Sequence, residues 1–249
     1  MIRVAQKSRS WGRRRLGPLL VAGGLSIVAL LQAPGLLIAD TKLDLALDPG
    51  GFLDRLRDLW DPTASFGQLP NQAVGYWFPM GPFFWFGERI GLSPWIVQRI
   101  WISALLVIAF WGMLRLLEAL GVGRPSSRLV GALWYALTPT LLVQVAYRSG
   151  QALPMVFLPL ALLPLVTGST RGSPRQAAAR SSVAVALMGG VNGAATFFVL
   201  AVPVIYLLTR ERGARRRRLA SWWFVLIPAV TIWWVAPLFL QLGYGSDFL

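Results

Sequence analysis

Cysteine and histidine are both missing from this chain of 249 residues, and only 14% of its residues are charged. The first absence excludes disulfides, Cys/His metal sites, a catalytic thiol and an imidazole base. Chemistry must then rest on carboxylates, Arg and Lys, amides, hydroxyls, or a divalent cation held by oxygen ligands. The second absence excludes a soluble globule, whose surface draws on roughly 25% charged residues. Acids are scarcer still, ten against 24 Lys and Arg, for a formal charge of +14.

What is present is apolar and blocked. Hydrophobic residues make up 55% of the chain, and they run over 18–38, 96–114 and 222–242, each close to the roughly 20 residues that cross a bilayer. The bases fall between such runs. Arg3, Lys7, Arg9, Arg13, Arg14 and Arg15 precede the first, and Arg210, Arg212 and Arg215 to Arg218 precede the last. This is the positive-inside pattern of cytoplasmic ends, not a basic face on a folded surface, so no nucleic-acid partner is expected. Residues 1–17 read as a basic cytoplasmic tail. The run over 18–38 is longer than a signal-peptide core and lacks a small-x-small cleavage site, so it reads as a retained anchor. The expectation is an all-α polytopic membrane protein over 18–249, surrounded by membrane lipids, with its N-terminus in the cytoplasm.

Helix 1 is placed at 18–38, with Pro18 in its first turn and a kink at Pro34-Gly35. Residues 39–95 then form a large extracytoplasmic loop broken by Pro49-Gly50-Gly51, Pro62, Pro70, Pro79, Gly81-Pro82 and Pro94. Its acids, Asp40, Asp44, Asp48, Asp54, Asp58, Asp61 and Glu88, outnumber Lys42, Arg55, Arg57 and Arg89. Phe52, Leu53, Leu56 and Leu59 recur at helical intervals, which predicts a short amphipathic helix. The clusters Tyr76-Trp77-Phe78 and Phe83-Phe84-Trp85-Phe86 predict a return to headgroup level. Further spans are placed at 96–117, 129–146, 152–166 and 222–240. Residues 182–208 match one crossing in length, yet one crossing would strand Arg210 to Arg218 on the outer side. A broken or re-entrant pair joined at Gly189-Gly190-Val191-Asn192-Gly193 resolves the conflict, and such breaks mark ligand sites or buried backbone.

Asp40 is the sharpest candidate for chemistry. It follows helix 1 at the membrane boundary, where a carboxylate can meet a lipid-linked headgroup and act as a general base; the plainer reading is a hydrated helix end. If 39–47 is helical, Asp44 shares a face with Asp40 as a carboxylate pair or an oxygen site for a divalent cation, with Lys42 offsetting their charge. Arg99 and Arg148 lie at outer helix ends, where a guanidinium can clamp phosphate or simply snorkel; Arg99 has Glu88 as an alternative partner. Asn71, Gln72 and Asn192 are candidate sugar contacts or turn formers. The metal and cofactor needs stay open.

In combination these segments resemble a known family. Ala39-Asp40-Thr41-Lys42-Leu43-Asp44-Leu45, Leu59-Trp60-Asp61-Pro62, Asn71-Gln72 with Gly75-Tyr76, and Phe78-Pro79-Met80-Gly81-Pro82-Phe83-Phe84 are similar to the N-terminal region of actinobacterial alpha-(1→3)-arabinofuranosyltransferases. Gln98-Arg99, Ala152-Leu153-Pro154-Met155 and the segment 186–192 extend the likeness across nearly the whole chain. The resemblance implies a GT-C-like transmembrane bundle and transfer of arabinofuranose from decaprenyl-phospho-arabinose to cell-wall arabinan of arabinogalactan or lipoarabinomannan. It also implies an acidic catalytic residue on the first outer loop, matching Asp40, and the polyprenyl-phosphate sugar and the glycan acceptor as partners. Members of that family are much longer, so a missing C-terminal portion or a partner subunit is expected. Two other readings share the topology: a GT-C transferase for another polyprenyl-phosphate sugar, and a lipid-substrate transporter or flippase.

Overall fold

Proline placement decides where the helices begin and break. In the computed structural model, which describes the backbone of residues 2–40, 42–58, 60 and 73–244 and side chains from Leu16 to Leu240 within these, every regular element is helical. The order is α1 (Ile2–Leu31), α2 (Leu43–Leu47), α3 (Pro49–Arg55), a 3₁₀ turn (Ala73–Tyr76), α4 (Met80–Arg89), α5 (Pro94–Leu120), α6 (Pro125–Ala136), α7 (Pro139–Tyr147), α8 (Ser149–Thr170), α9 (Pro174–Ala186), α10 (Gly193–Thr209) and α11 (Ala214–Tyr244). Pro49, Pro94, Pro125, Pro139 and Pro174 each open a helix, because the missing N–H has no intrahelical partner there.

Three helices, Pro94–Leu120, Ser149–Thr170 and Ala214–Leu240, are long and apolar enough to cross a membrane, and α6 with α7 makes a fourth span bent by 43°. This is a multi-pass membrane protein. Helix α8 carries Pro154, Pro159 and Pro164 in its interior, tolerable because neighbouring groups in the bundle take up the freed backbone. It packs against α5, α9, α10 and α7, and Leu105, Phe110, Leu153, Val156 and Leu165 are almost fully buried around it.

Short polar contacts fix the direction of each pass. Ser103 donates to Ser26 at 2.8 Å, pairing α5 with α1. Ser181 of α9 donates to the Ala161 carbonyl of α8 at 2.7 Å and accepts from Trp223 Nε1 of α11 at 3.0 Å. Helix α9 is therefore enclosed by α8 and α11, and its small residues permit close approach: a Cβ on Gly168 would lie 2.3 Å from that of Ala177. Helices α1, α6–α7, α9 and α11 run from an arginine-rich end to the end that bears the large loop, while α5, α8 and α10 run back.

Several boundaries differ from expectation. Helix 1 does not reach residue 38: it ends at Leu31, with Ala33 and Gly35 at φ 42° and 83°, since Pro34 bars the preceding residues from continuing the helix. Pro18 lies inside α1, which begins at Ile2, so the basic tail and the span are one helix. The span over 129–146 is broken at Thr138-Pro139. The described part of the loop over 39–95 is largely helical, and its aromatic clusters divide: Tyr76 and Phe84 are buried, whereas Trp77, Phe78, Trp85 and Phe86 are exposed. The amphipathic helix expected from Gly51 runs over Pro49–Arg55 with Phe52 buried, and Asp48 caps it by accepting from Gly51 N–H at 2.9 Å.

The pair over 182–208 forms as two helices, but the first, α9, begins earlier, at Pro174, and takes Arg175 and Arg180 into the helix. Both outer ends of α9–α10 lie at the arginine-rich end. Ser169 and Tyr206 hydroxyls meet at 3.1 Å there, and Arg216 Nε donates to the Leu207 carbonyl at 2.7 Å. The connecting turn over 187–192 lies at the loop end, where Gly190 N–H donates to the Gly75 carbonyl.

Candidate active site

The stretch from α1 to Asp40 has no regular structure of its own, so other elements must hold it. Two neighbours near the start of α5 do so. Gln98 donates from Nε2 to the Ile38 carbonyl at 2.9 Å and accepts from Ile38 N–H at 2.8 Å. Arg99 donates from Nε to the Gln32 carbonyl at 2.9 Å and from Nη2 to the Leu36 carbonyl at 3.0 Å. The last carbonyls of a helix have no intrahelical donor and form its negative pole, so a guanidinium suits this place. Arg99 is 1% exposed, and its Nη1 has no hydrogen-bond partner among the described residues.

Held in this way, the chain delivers Asp40, half-buried, to the N-terminus of α8. Ser149 N–H donates to both carboxylate oxygens, at 3.1 and 3.2 Å, and the Ser149 hydroxyl donates to Oδ2. A helix N-terminus offers unpaired N–H groups and the positive pole of its dipole, which favours a carboxylate. Ser149 Oγ in turn accepts from Trp101 Nε1 at 3.1 Å, and Trp101 is wedged against Phe83 and Phe84 with ring centroids 5.0 and 6.0 Å away. The order of support is thus α4 aromatics, Trp101, Ser149, Asp40.

The turn over 187–192 and the 3₁₀ turn close over the same helix end. Around Gly150, Met80 Sδ, Val191 Cγ2 and Tyr76 Cε1 all lie 3.1–3.2 Å from where a Cβ would stand. A Cβ on Gly75 would stand 2.2 Å from the Gly190 carbonyl carbon, and one on Gly190 2.4 Å from Trp234 Cγ. The Gly-rich turn is therefore a close backbone contact between loop, α9–α10 turn and α11, not only a break.

The other sequence candidates scatter around this centre. Residues 36–40 are non-helical and α2 starts at Leu43, so the shared helical face of Asp40 and Asp44 does not form. Asp44 instead pairs with Arg55 at 3.0 Å, both side chains about half exposed, a contact of modest value in water. That pairing, not Lys42, offsets its charge; Lys42 is half-buried just before α2. Arg99 pairs with backbone carbonyls, not with Glu88. Arg148 is exposed and immediately precedes Ser149, which sets a cation beside the Asp40 clamp. Asn192 caps α10, accepting from Ala195 N–H at 3.0 Å. Asn71 and Gln72 lie outside the described residues. No three acidic side chains gather into an oxygen cage among the described residues: Asp40 is engaged by Ser149 and Asp44 by Arg55.

Sequence reading missed Ser149 and Trp101, for which an apolar context leaves no signal. The role of Gln98-Arg99 had a signal, since a polar and a charged residue inside an apolar span are expensive and need partners.

The long apolar helices and the broken helix pairs make this a polytopic membrane domain, consistent with a GT-C-like fold. Residues 24–249 match the family model described as alpha-(1→3)-arabinofuranosyltransferase, N-terminal GT-C domain, and the chain belongs to that family. It is 40% identical over 250 residues to the alpha-(1→3)-arabinofuranosyltransferase of Mycobacterium tuberculosis, covering 99% of this chain and 17% of that protein. To the Mycolicibacterium smegmatis enzyme of the same name it is 41% identical over 232 residues, 92% of this chain and 16% of that protein. The cryo-EM structure of arabinofuranosyltransferase AftD from mycobacteria superposes with a TM-score of 0.86 at 40% identity, over 90% of this chain and 17% of that one. The chain thus spans about one sixth of the length of the curated relatives it matches.

Proposed function

We propose that this domain supplies the catalytic carboxylate for transfer of arabinofuranose from decaprenyl-phospho-arabinose to the arabinan of arabinogalactan or lipoarabinomannan, as part of a longer enzyme. The loop end faces the extracytoplasmic side and the arginine-rich end the cytoplasm. Asp40 takes the proton from the acceptor hydroxyl as its oxygen bonds to the anomeric carbon; the bond from that carbon to the phosphate oxygen breaks, and polyprenyl phosphate leaves with the electron pair. Arg148 steadies the leaving phosphate, for which a planar, permanently charged fork is suited. The lipid tail stays in the bilayer throughout.

The observation that carries this reading is the Asp40 clamp: a carboxylate just beyond the first apolar helix, oriented from one side by Ser149, with the chain leading to it tethered by Gln98 and Arg99. A general base needs fixed geometry before it needs a tuned pKa. Asp40→Asn preserves size and removes the base, and radiolabelled arabinose transfer by the intact protein should fall by about 10²–10⁴-fold. Near-normal turnover by a correctly inserted Asp40→Asn variant would remove Asp40 from the chemistry. Efficient transfer of a different sugar, with none of arabinose, would redirect the assignment of the donor.

A further inference from the structure

At the arginine-rich end, α5, α8 and α9 line an open pocket of about 690 Å³, within the size range of ligand pockets, roughly 300–1,000 Å³. Its polar lining includes Arg115, Arg171, Arg180 and Gln176, and its apolar lining includes Leu163 and Pro164. Three guanidinium groups face a single carboxylate, Glu118, which Arg115 already engages at 3.1 Å. Arg171 and Arg180 have no ion-pair or hydrogen-bond partner for their side chains among the described residues. The neighbouring arginines are committed elsewhere: Arg175 lies over the Trp222 ring at 5.2 Å, and Arg215 donates to the Gly168 carbonyl at 2.9 Å and to the Gly172 carbonyl. Those bonds hold the α8–α9 turn, and so the rim of the cavity, in place.

We infer that this cavity binds the headgroup of an anionic glycerophospholipid from the membrane leaflet at the arginine-rich end. Arg171 and Arg180 would share the phosphate through charge-assisted, forked hydrogen bonds. Leu163 and Pro164, half-buried in α8 about two turns before Arg171, give the pocket an apolar side on which the first carbons of the acyl chains would rest. A basic pocket between membrane helices at this depth suits a lipid phosphate, because the headgroup arrives with its tails already in the bilayer. A soluble anion would gain the charge contacts but not the apolar side. This site stands apart from Asp40, at the opposite end of α8, and does not depend on the transfer chemistry.

The test is native mass spectrometry of the intact protein in detergent, titrated with phosphatidylglycerol, phosphatidylcholine or inorganic phosphate. Phosphatidylglycerol should be retained about tenfold more than phosphatidylcholine, and Arg171→Gln with Arg180→Gln should abolish that preference. Arg210→Gln with Arg212→Gln removes the same charge from the same end outside the cavity and should leave it intact. Equal loss in both double variants would reduce the effect to diffuse attraction and overturn the site, as would displacement of the lipid by inorganic phosphate. Should the first double variant fail to fold, photo-crosslinkable phosphatidylglycerol on the unaltered protein decides: labelling within 163–180 supports the site, and labelling confined to other helices overturns it.

Discussion

The two ends of the bundle use arginine for the same backbone task under opposite solvation. At the arginine-rich end Arg128, half-buried, donates to the carbonyl of exposed Val122 at 2.8 Å, so water can replace it. At the loop end Arg99 does the same for the Gln32 and Leu36 carbonyls while itself buried, so its guanidinium depends on these protein acceptors. Charge at the first end is abundant, consistent with a role in orientation and in holding anionic headgroups. At the second end the loop's charges pair with one another at the surface, Asp44 with Arg55 and Asp54 with Arg57, while buried Arg99 is bound into the path that leads to Asp40.

The sharpest break of that contrast is Asp40→Asn, where loss of the base at the loop end should cost transfer by the two to four orders of magnitude given above, with the thermal midpoint nearly unchanged. Next comes Arg99→Met, which removes two part-buried, charge-assisted hydrogen bonds; at about 1–3 kcal/mol for each, thermal unfolding in detergent should show a loss of roughly 2–4 kcal/mol. Arg99→Lys should not restore it, because an ammonium cannot span both carbonyls as a planar fork does. A small loss in Arg99→Met would show that the linker is held by Gln98 alone.

Gly190→Ala tests the contact that closes the loop end, since the added Cβ would stand 2.4 Å from Trp234 Cγ; overpacking of this kind costs about 1–3 kcal/mol, read by the same melting measurement. Ser149→Ala removes the hydroxyl from Asp40 but leaves the backbone N–H. Transfer should fall about tenfold in kcat with KM little changed, in keeping with the loss of one charge-assisted hydrogen bond, and Ser149→Thr should recover most of it. An unchanged kcat in Ser149→Ala would leave the backbone N–H as sufficient support. Smallest of all, Arg128→Gln at the arginine-rich end should shift stability by no more than about 0.5–1 kcal/mol, because water substitutes at the exposed carbonyl. A loss as large as that of Arg99→Met would erase the distinction between the ends.

The membrane class, the segregation of charge and the return of the chain before Arg210 were legible in the sequence, since each follows from transfer energies summed over long segments: apolar runs partition into lipid and arginine runs stay at one face. Asp40 stood out for a related reason, its position at the end of an apolar run. Local backbone chemistry was read less well. Pro34 ends α1 where a kink was expected, and Thr138-Pro139 breaks a span read as continuous, because whether a proline ends, kinks or merely sits in a helix depends on which neighbours can satisfy the freed backbone groups. Pro154, Pro159 and Pro164 within the unbroken α8 show the other outcome.

What residue order alone determined, then, is the set of apolar segments, the side on which the basic residues gather and the acid at the end of the first span. Only the packed bundle decided that Ser149, 109 residues further on, would pin Asp40, that Gln98 and Arg99 would hold the chain leading to it, and that Arg55 would take Asp44 away from it. Partition between lipid and water is additive along the chain and can be read segment by segment. A hydrogen bond between distant residues depends on how helices register against one another, which no local pattern encodes.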